Sequence, residues 1–133
     1  MAALLAQLIS PDRIVIDGEM SCVMLPGIEG DMTVLVGHQR VMTLLRAGLV
    51  VAVDLAGHAQ RVYARGAFAE ITATTVTILA EQALPFEELS PPMIDEELTQ
   101  LRMQADATEG EIVRSWIQLS IAALEDLKKT MQN

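Results

Sequence analysis

The segment Leu84–Pro92, with the sequence LPFEELSPP, divides the chain into two parts that have different hydrophobic patterns. Before it, short runs rich in Val, Ile, Leu and Thr alternate with glycine-containing turns, which is typical of β-strands. After it, glycine is rare and apolar residues recur every three or four positions, which is the period of an α-helix. Proline at positions 85, 91 and 92 interrupts both patterns. We therefore predict two domains, residues 1–86 and residues 87–133.

Nine candidate strands precede this segment, separated by residues that favour turns. Their regular spacing predicts an antiparallel sandwich or barrel. Leu49–Val53 is apolar at every position, so this strand is either central in a closed sandwich or has its outer face covered by a partner. The candidates are Leu4–Ile9, Arg13–Ile16, Met20–Leu25, Met32–Val36, Val41–Leu45, Leu49–Leu55, Gln60–Arg65, Phe68–Ile71 and Val76–Leu79, with Asp17-Gly18 among the predicted turns.

Two helices are predicted after the segment, of about 12 and about 22 residues. Ser90 is placed to cap the first helix, and Thr108-Glu109-Gly110-Glu111 has the form of a capping box for the second. Each helix has one apolar face at helical spacing. The first face consists of Ile94, Leu98, Leu101 and Ala105, and the second of Val113, Trp116, Ser120, Leu124, Leu127 and Met131.

The short turn between these helices makes them an antiparallel hairpin. Two helices of this size cannot enclose a core of their own. Their apolar faces need either the sandwich of the same chain or a partner molecule, and the sequence leaves both arrangements open.

The chain of 133 residues is acidic, with 18 Asp and Glu against 9 Lys and Arg. Ten of the acidic and four of the basic residues lie in residues 87–133, so the hairpin carries two-thirds of the net charge of −9. This balance, with only four aromatic side chains, argues against nucleic acid and anionic lipid as partners. We expect no membrane span, because no run of about 18 apolar residues occurs. The single Cys22 has apolar neighbours and is expected to be a small core side chain in a reducing compartment.

The sequence contains no recognisable catalytic or metal-binding motif. The glycine-rich phosphate-binding patterns are absent, and His38 and His58 lack partners at metal-ligand spacing. The paired carboxylates at Glu87-Glu88 and Asp95–Glu97 lie in the linker and the first helical turn, where solvent and the helix dipole account for them. We therefore expect a protein that is not an enzyme by itself and that has no catalytic or metal site.

Two groups of motifs follow one another in a specific order. The first is Gly27-Ile28-Glu29-Gly30, a strand, and then Gly37-His38. The second is Gly66-Ala67-Phe68-Ala69-Glu70-Ile71, followed by Val76-Thr77-Ile78-Leu79-Ala80-Glu81. With the helical hairpin after them, the chain resembles the epsilon subunits of F-type ATP synthase over about residues 2–133.

This resemblance implies a fold and a function. The fold is a ten-stranded antiparallel β-sandwich followed by an antiparallel two-helix hairpin. The function is that of a non-catalytic central-stalk subunit, peripheral on the cytoplasmic side of the bacterial inner membrane, which couples the c-ring and the gamma subunit to ATP synthesis. In such subunits the hairpin can also extend along gamma towards the catalytic alpha and beta subunits and restrain ATP hydrolysis.

The resemblance also nominates site residues. Glu29, Gly30 and Asp31 match the loop that contacts the c-ring, and Gly37 and His38 match the corner near gamma and the ring. In the second helix, the basic residues that would face acidic segments of the catalytic subunits are Arg114, Lys128 and Lys129.

Some members of the family bind ATP through a motif that opens the first helix with Ile-Asp and ends in Arg-Ala. Here Ile94-Asp95 is present, but Leu98-Thr99 stands where Arg-Ala is expected. We therefore expect no nucleotide cofactor. An alternative function, from a different class, is a stand-alone β-sandwich module that binds proteins and dimerises through the seam Val113–Met131 of its hairpin.

Overall fold

The computed structural model describes residues 3–132, so that residues 1, 2 and 133 of the two predicted domains lie outside the described residues. Within them, seven β-strands precede a 3₁₀ helix, Phe86–Glu88, and two α-helices. The change from strands to helices thus falls in the proline-containing segment. The strands are β1 (Leu4–Ile9), β2 (Ile14–Gly27), β3 (Gly30–Val34), β4 (Val41–Leu45), β5 (Gly48–Asp54), β6 (Ala59–Ile71) and β7 (Thr75–Pro85), and the helices are α1 (Pro91–Ala107) and α2 (Glu111–Gln132).

The strands form two layers, and β2, β6 and β7 belong to both. In the first layer, β1 pairs with the start of β2 and with the start of β7, and the last part of β6 pairs with β7 and β4. In the second layer, β5 lies between the last part of β2 and the first part of β6. The second layer also contains β3, paired with the end of β2, and the end of β7, paired with the start of β6.

The prediction of ten antiparallel strands is wrong in number and in direction. The described residues form seven strands, and β1 runs parallel to β7. The nine candidate strands of the sequence become seven because two predicted breaks do not end a strand. Gly18 stays within β2 and pairs with Ala6, and Gly66 bends β6 with a φ of +61° while pairing with β7 resumes at Ala67.

The core between the two layers is aliphatic, as the scarcity of aromatic residues predicts. Its fully buried side chains come from strands of both layers and include Leu4, Leu8, Val23, Val50 and Ile78. Cys22 lies in β2 as a free, half-buried thiol.

The helical hairpin packs on the outer face of the second layer. The predicted apolar face of α1 is buried throughout, at Ile94, Leu98, Leu101 and Ala105. With Ile121 and Leu124 of α2, this face forms a second apolar cluster that includes Ala47, Tyr63 and Leu84 of the sandwich. Of the two arrangements left open by the sequence, the structure therefore shows the hairpin on the sandwich of its own chain.

The linker between sandwich and hairpin is fastened to the sandwich. The guanidinium of Arg61 lies 4.5 Å from the ring centroid of Phe86, and Arg13 makes an ion pair with Glu88 at 3.3 Å. Ser90 occupies the N-cap position of α1 as predicted, although its side chain makes no capping hydrogen bond.

The start of α2 differs from the prediction. The hydroxyl of Thr108 donates to the carbonyl of Gln104 at 2.6 Å, so it serves the end of α1 and does not cap α2. The backbone N–H of Arg114 donates to the carbonyl of Gly110, the residue that immediately precedes α2. As a result α1 has 17 residues, more than predicted, and α2 has 22.

Only the C-terminal half of the predicted α2 seam faces the chain itself. Ser120 and Leu124 are buried, whereas Val113 and Trp116 are 45% and 37% exposed. The docked hairpin therefore leaves an apolar face open.

The bend in β6 predicts that Gly66→Ala destabilises the fold, whereas alanine at another glycine position does not. A left-handed backbone is unfavourable for an L side chain, and the new Cβ would lie 2.6 Å from a carboxylate oxygen of Glu81. We expect a loss of about 1–2 kcal/mol in the free energy of unfolding, measured by urea denaturation. The control is Gly48→Ala, whose Cβ would lie 3.5 Å from Pro26, an ordinary van der Waals distance. This substitution should leave the free energy of unfolding unchanged. Equal losses in both variants would contradict strain at Gly66.

Candidate functional site

An apolar strip crosses the outer face of the first layer. Leu44 of β4 pairs with Phe68 of β6, and Phe68 pairs with Leu79 of β7, so the three side chains lie side by side on one face. Leu44 is 45% exposed and Leu79 is 41% exposed. Met42, two residues before Leu44 and therefore on the same face, is also exposed.

The strip continues onto the hairpin. A groove of about 350 Å³ separates β4 and β6 from α2, and Leu44, Phe68, Val113 and Trp116 line it. We call the five residues Leu44, Phe68, Leu79, Val113 and Trp116 the composite apolar surface. Contiguous exposed apolar patches of this kind mark interaction sites in many proteins.

Sequence reasoning missed this surface. The helical spacing of Val113 and Trp116 indicates an apolar face but cannot say which part of that face is covered. The sequence pattern places Leu44 and Phe68 in separate strands, and their contact depends on the register between β4 and β6.

The predicted c-ring loop is a tight turn between β2 and β3. Glu29, Gly30 and Asp31 are all exposed, and Gly30 has a φ of +141°, a conformation that favours glycine. Arg46, which the sequence analysis did not single out, holds the loop in place. Its guanidinium forms an ion pair with Asp31 and donates to the carbonyl of Gly27 at 2.6 Å.

The predicted corner at Gly37 and His38 lies at the other end of β3. Gly37 has a φ of +91°, and its N–H donates to the carbonyl of Ala73 at 2.7 Å. The half-buried His38 ring has its Nδ1 2.8 Å from the carbonyl oxygen of Gln39. Strand β3, about 17 Å long, runs from the loop at Gly30 towards this corner.

Strand β4 leads from the corner back to the loop. Its end lies beside the loop, because the N–H of Ile28 donates to the carbonyl of Leu44 at 2.9 Å. The corner, the exposed side chains of β4 and the loop therefore follow one another along the same edge of the sandwich.

The three basic residues predicted for the regulatory helix have different environments. Arg114 donates to the backbone carbonyls of Ala105 and Thr108, so it closes the turn between the helices. Lys128 pairs with Asp95 of α1 at 2.5 Å, and Lys129 is exposed. Two of the three are thus engaged inside the docked hairpin, and their proposed contact with catalytic subunits would require these bonds to be exchanged.

A buried ion pair joins the sandwich to the hairpin. Arg65 of β6 pairs with Glu97 of α1, and Glu97 is only 6% exposed. Burial raises the pKa of the Glu97 carboxyl above its ordinary value, and the Arg65 guanidinium acts in the opposite direction. Burial also raises the pKa of the neighbouring Tyr63 hydroxyl above its usual range.

Neither a metal site nor a membrane helix is found in the part of the chain that the structure describes. No group of three or more His, Cys, Asp or Glu side chains among residues 3–132 could hold a metal ion. No helix in the same range is long and apolar enough to cross a membrane. His58 lies in an exposed turn, where Asp54 accepts its backbone N–H at 2.9 Å.

Comparisons with known proteins identify relatives of this chain. The family model described as "ATP synthase, Delta/Epsilon chain, beta-sandwich domain" matches residues 4–86. The ATP synthase epsilon chain of Parvibaculum lavamentivorans is 38% identical over 91 residues, which cover 68% of this chain and 69% of that one. The epsilon chain of Hyphomonas neptunium is 34% identical over 127 residues, which cover 95% of this chain and 94% of that one.

Solved structures share the fold. A chain in the Euglena gracilis mitochondrial ATP synthase, a structure of OSCP, F1 and c-ring, matches with a TM-score of 0.72 and 22% identity over 98% of this chain and 82% of that one. A chain in the central stalk and c-ring structure of the Tetrahymena thermophila mitochondrial ATP synthase matches with a TM-score of 0.60 and 10% identity over 94% of this chain and 96% of that one.

The raised pKa of Glu97 predicts the pH dependence of stability. Below its ordinary value of 4.5, Glu97 is protonated in both the folded and the unfolded chain. As the pH rises above this value, the unfolded chain loses its proton first, so the contribution of Glu97 to the free energy of unfolding decreases until the folded pKa is passed. The free-energy difference between the wild type and Glu97→Gln should therefore fall with pH in this window.

Urea denaturation at pH steps from 4 to 8 measures this difference. Asp106→Asn, at an exposed position of α1, is the control for removing one negative charge from the same helix. A difference that rises with pH would show that the pair with Arg65, and not burial, dominates the Glu97 carboxyl.

Proposed function

The chain belongs to the delta/epsilon chain family of ATP synthase, and on this basis we propose that it is a central-stalk subunit that joins the gamma subunit to the c-ring without catalysing a reaction itself. The two solved structures with the same fold are described as containing the c-ring, and one of them as the central stalk. The observation that carries the proposal is the composite apolar surface, because it gives the sandwich and the hairpin one shared face for a protein partner.

We assign the composite apolar surface to the gamma subunit. An apolar contact suits a lasting protein partner, since burial of exposed Leu, Phe and Trp side chains provides most of the binding energy at such interfaces. The loop at Glu29, Gly30 and Asp31 presents exposed polar groups at the edge of the same sandwich, and we assign it to the c-ring. The corner at Gly37 and His38 would then lie at the other end of β3, near gamma.

We assign the hairpin, residues 87–133, to regulation. It is docked through a limited apolar cluster, and two of its basic residues are engaged in bonds that can be exchanged. In this proposal the sandwich, residues 1–86, provides the coupling contacts. The subunit would be peripheral on the cytoplasmic side of the bacterial inner membrane, would use no nucleotide cofactor, and would act in proton-driven ATP synthesis.

The alternative of dimerisation through the hairpin has less surface available than the sequence suggested. Ser120 and Leu124 of the proposed seam are buried within the chain. A dimer would have to use the part of the seam around Val113 and Trp116, which belongs to the composite apolar surface.

Leu44→Glu tests the assignment of this surface to gamma. A charge placed in the middle of an apolar contact loses its hydration on binding, so we expect capture of gamma by the tagged chain to fall by about tenfold or more. The assay is co-purification with the gamma subunit of the same bacterium. Leu55→Glu is the matched control, because Leu55 is also 45% exposed but lies in the turn between β5 and β6.

Leu55→Glu should leave the capture unchanged. The assignment would be contradicted if Leu44→Glu captured as much gamma as the wild type, or if both variants lost capture equally. A stable dimer of the wild type at micromolar concentration in analytical ultracentrifugation would favour the alternative function.

Deletion of residues 87–133 tests the regulatory role. The strip of Leu44, Phe68 and Leu79 remains after the deletion, so we expect the truncated chain to assemble and to support ATP synthesis. ATP hydrolysis by the complex should rise, because the segment that could reach the catalytic subunits is missing. Unchanged hydrolysis in a complex that still contains the truncated chain would refute a regulatory hairpin.

A further inference from the structure

Among the described residues, the interface between the sandwich and the helices α1 and α2 is apolar except at two polar contacts. One is the hydrogen bond from the backbone N–H of Ala47 to the hydroxyl of Ser120, at 2.9 Å. The other is the ion pair of Arg65 and Glu97, in which both side chains are largely withdrawn from solvent. Arg65 also lies 3.7 Å from Glu81 and donates to the side-chain oxygen of Gln82 at 2.9 Å, so its guanidinium is held at a fixed place on β6 and β7.

The apolar contacts alone do not define one arrangement of α1 on the sheet. Ile94, Leu98 and Leu101 repeat along one face, so a shift of the helix by about one turn brings a similar side chain to each position. Apolar burial is roughly proportional to area and is not directional. It therefore distinguishes poorly between such registers.

The ion pair does distinguish between them. A buried pair adds little net stability, because the cost of removing two charges from water offsets their attraction. Separating the two charges while both stay buried is costly, since each is then left without a partner. A shift of α1 by one turn, about 5.4 Å, would do this to Glu97 and Arg65.

We propose that the Arg65–Glu97 pair sets the register in which the hairpin docks, and so places Val113 and Trp116 beside Leu44 and Phe68 to complete the composite apolar surface. The role of that surface in binding gamma rests on the proposed function. The register itself is a property of the isolated chain and is tested without a partner.

The test compares single and double substitutions of the pair in the full chain. Arg65→Met leaves Glu97 buried without its partner, so we expect the amide hydrogen exchange of α1 to accelerate by about tenfold or more while the amides of β1 and β7 stay protected. The double variant Arg65→Met and Glu97→Met removes both charges and should recover slow exchange in α1. It should nevertheless give more than one set of NMR signals for the indole N–H of Trp116, the only tryptophan in the chain.

Arg102→Met with Glu125→Met is the control, because this pair joins the two helices on their exposed side at 3.7 Å. It should leave one Trp116 signal and wild-type exchange. A single wild-type Trp116 signal in the Arg65 and Glu97 double variant, or unchanged exchange in Arg65→Met, would overturn the proposal. Loss of gamma capture in Leu44→Glu does not bear on this result, so failure of the register proposal and failure of the proposed function are distinguishable.

Discussion

The outer face of the second sheet layer is apolar and has to be covered, and the rest of the structure depends on how this is done. Leu49 and Tyr63 point to the hairpin side of the layer, and Ala47 and Leu84 extend the same cluster. If this face were exposed to water, the folded chain would lack the stabilisation that burial of apolar surface provides. The chain covers it with its own hairpin, whose helices gain from the sheet the core that two helices cannot form alone. Sandwich and hairpin are therefore distinct in sequence pattern, and the hairpin depends on the sheet for its core, whereas the sandwich has a core of its own.

One outer face of the sandwich is covered by the hairpin, and the other is exposed to solvent. On the second layer the covering element is part of the chain, and within residues 3–132 the polar contacts between the sandwich and the two α-helices come from Arg65, Glu97, Ala47 and Ser120. On the first layer the strip through Phe68 stays open and is extended by α2. Helix α2 therefore covers part of the second layer with the C-terminal end of its apolar seam, while Val113 and Trp116 at the other end stay exposed. Docking of the hairpin and the composition of the exposed surface are thereby coupled.

The local patterns of the sequence predict the elements well and their connections poorly. The spacing from Ile94 to Ala105 identifies the buried face of α1, because helical periodicity depends on the helix alone. The sequence pattern divides each of the long strands β2 and β6 in two, because Gly18 and Gly66 resemble turn residues. In the structure the pairing of Gly18 with Ala6, and of the residues on both sides of Gly66 with β7, keeps each strand continuous. The composite apolar surface and the Arg65–Glu97 pair depend on which strands are neighbours. Residues that are far apart in sequence meet there, and no local spacing encodes such a meeting.

The distribution of positive charge explains why the open surface is suited to apolar binding. Arg13, Arg46, Arg65 and Arg102 make ion pairs within the chain, Arg61 stacks on Phe86, and Arg114 binds carbonyls at the helix turn. Six of the seven arginines are thus engaged in holding the fold, while the net charge of the chain is −9. A net negative charge disfavours long-range attraction of other anionic groups. In the proposed function, association therefore relies on close apolar contact at Leu44, Phe68 and Trp116, a type of contact that screening by salt does not weaken.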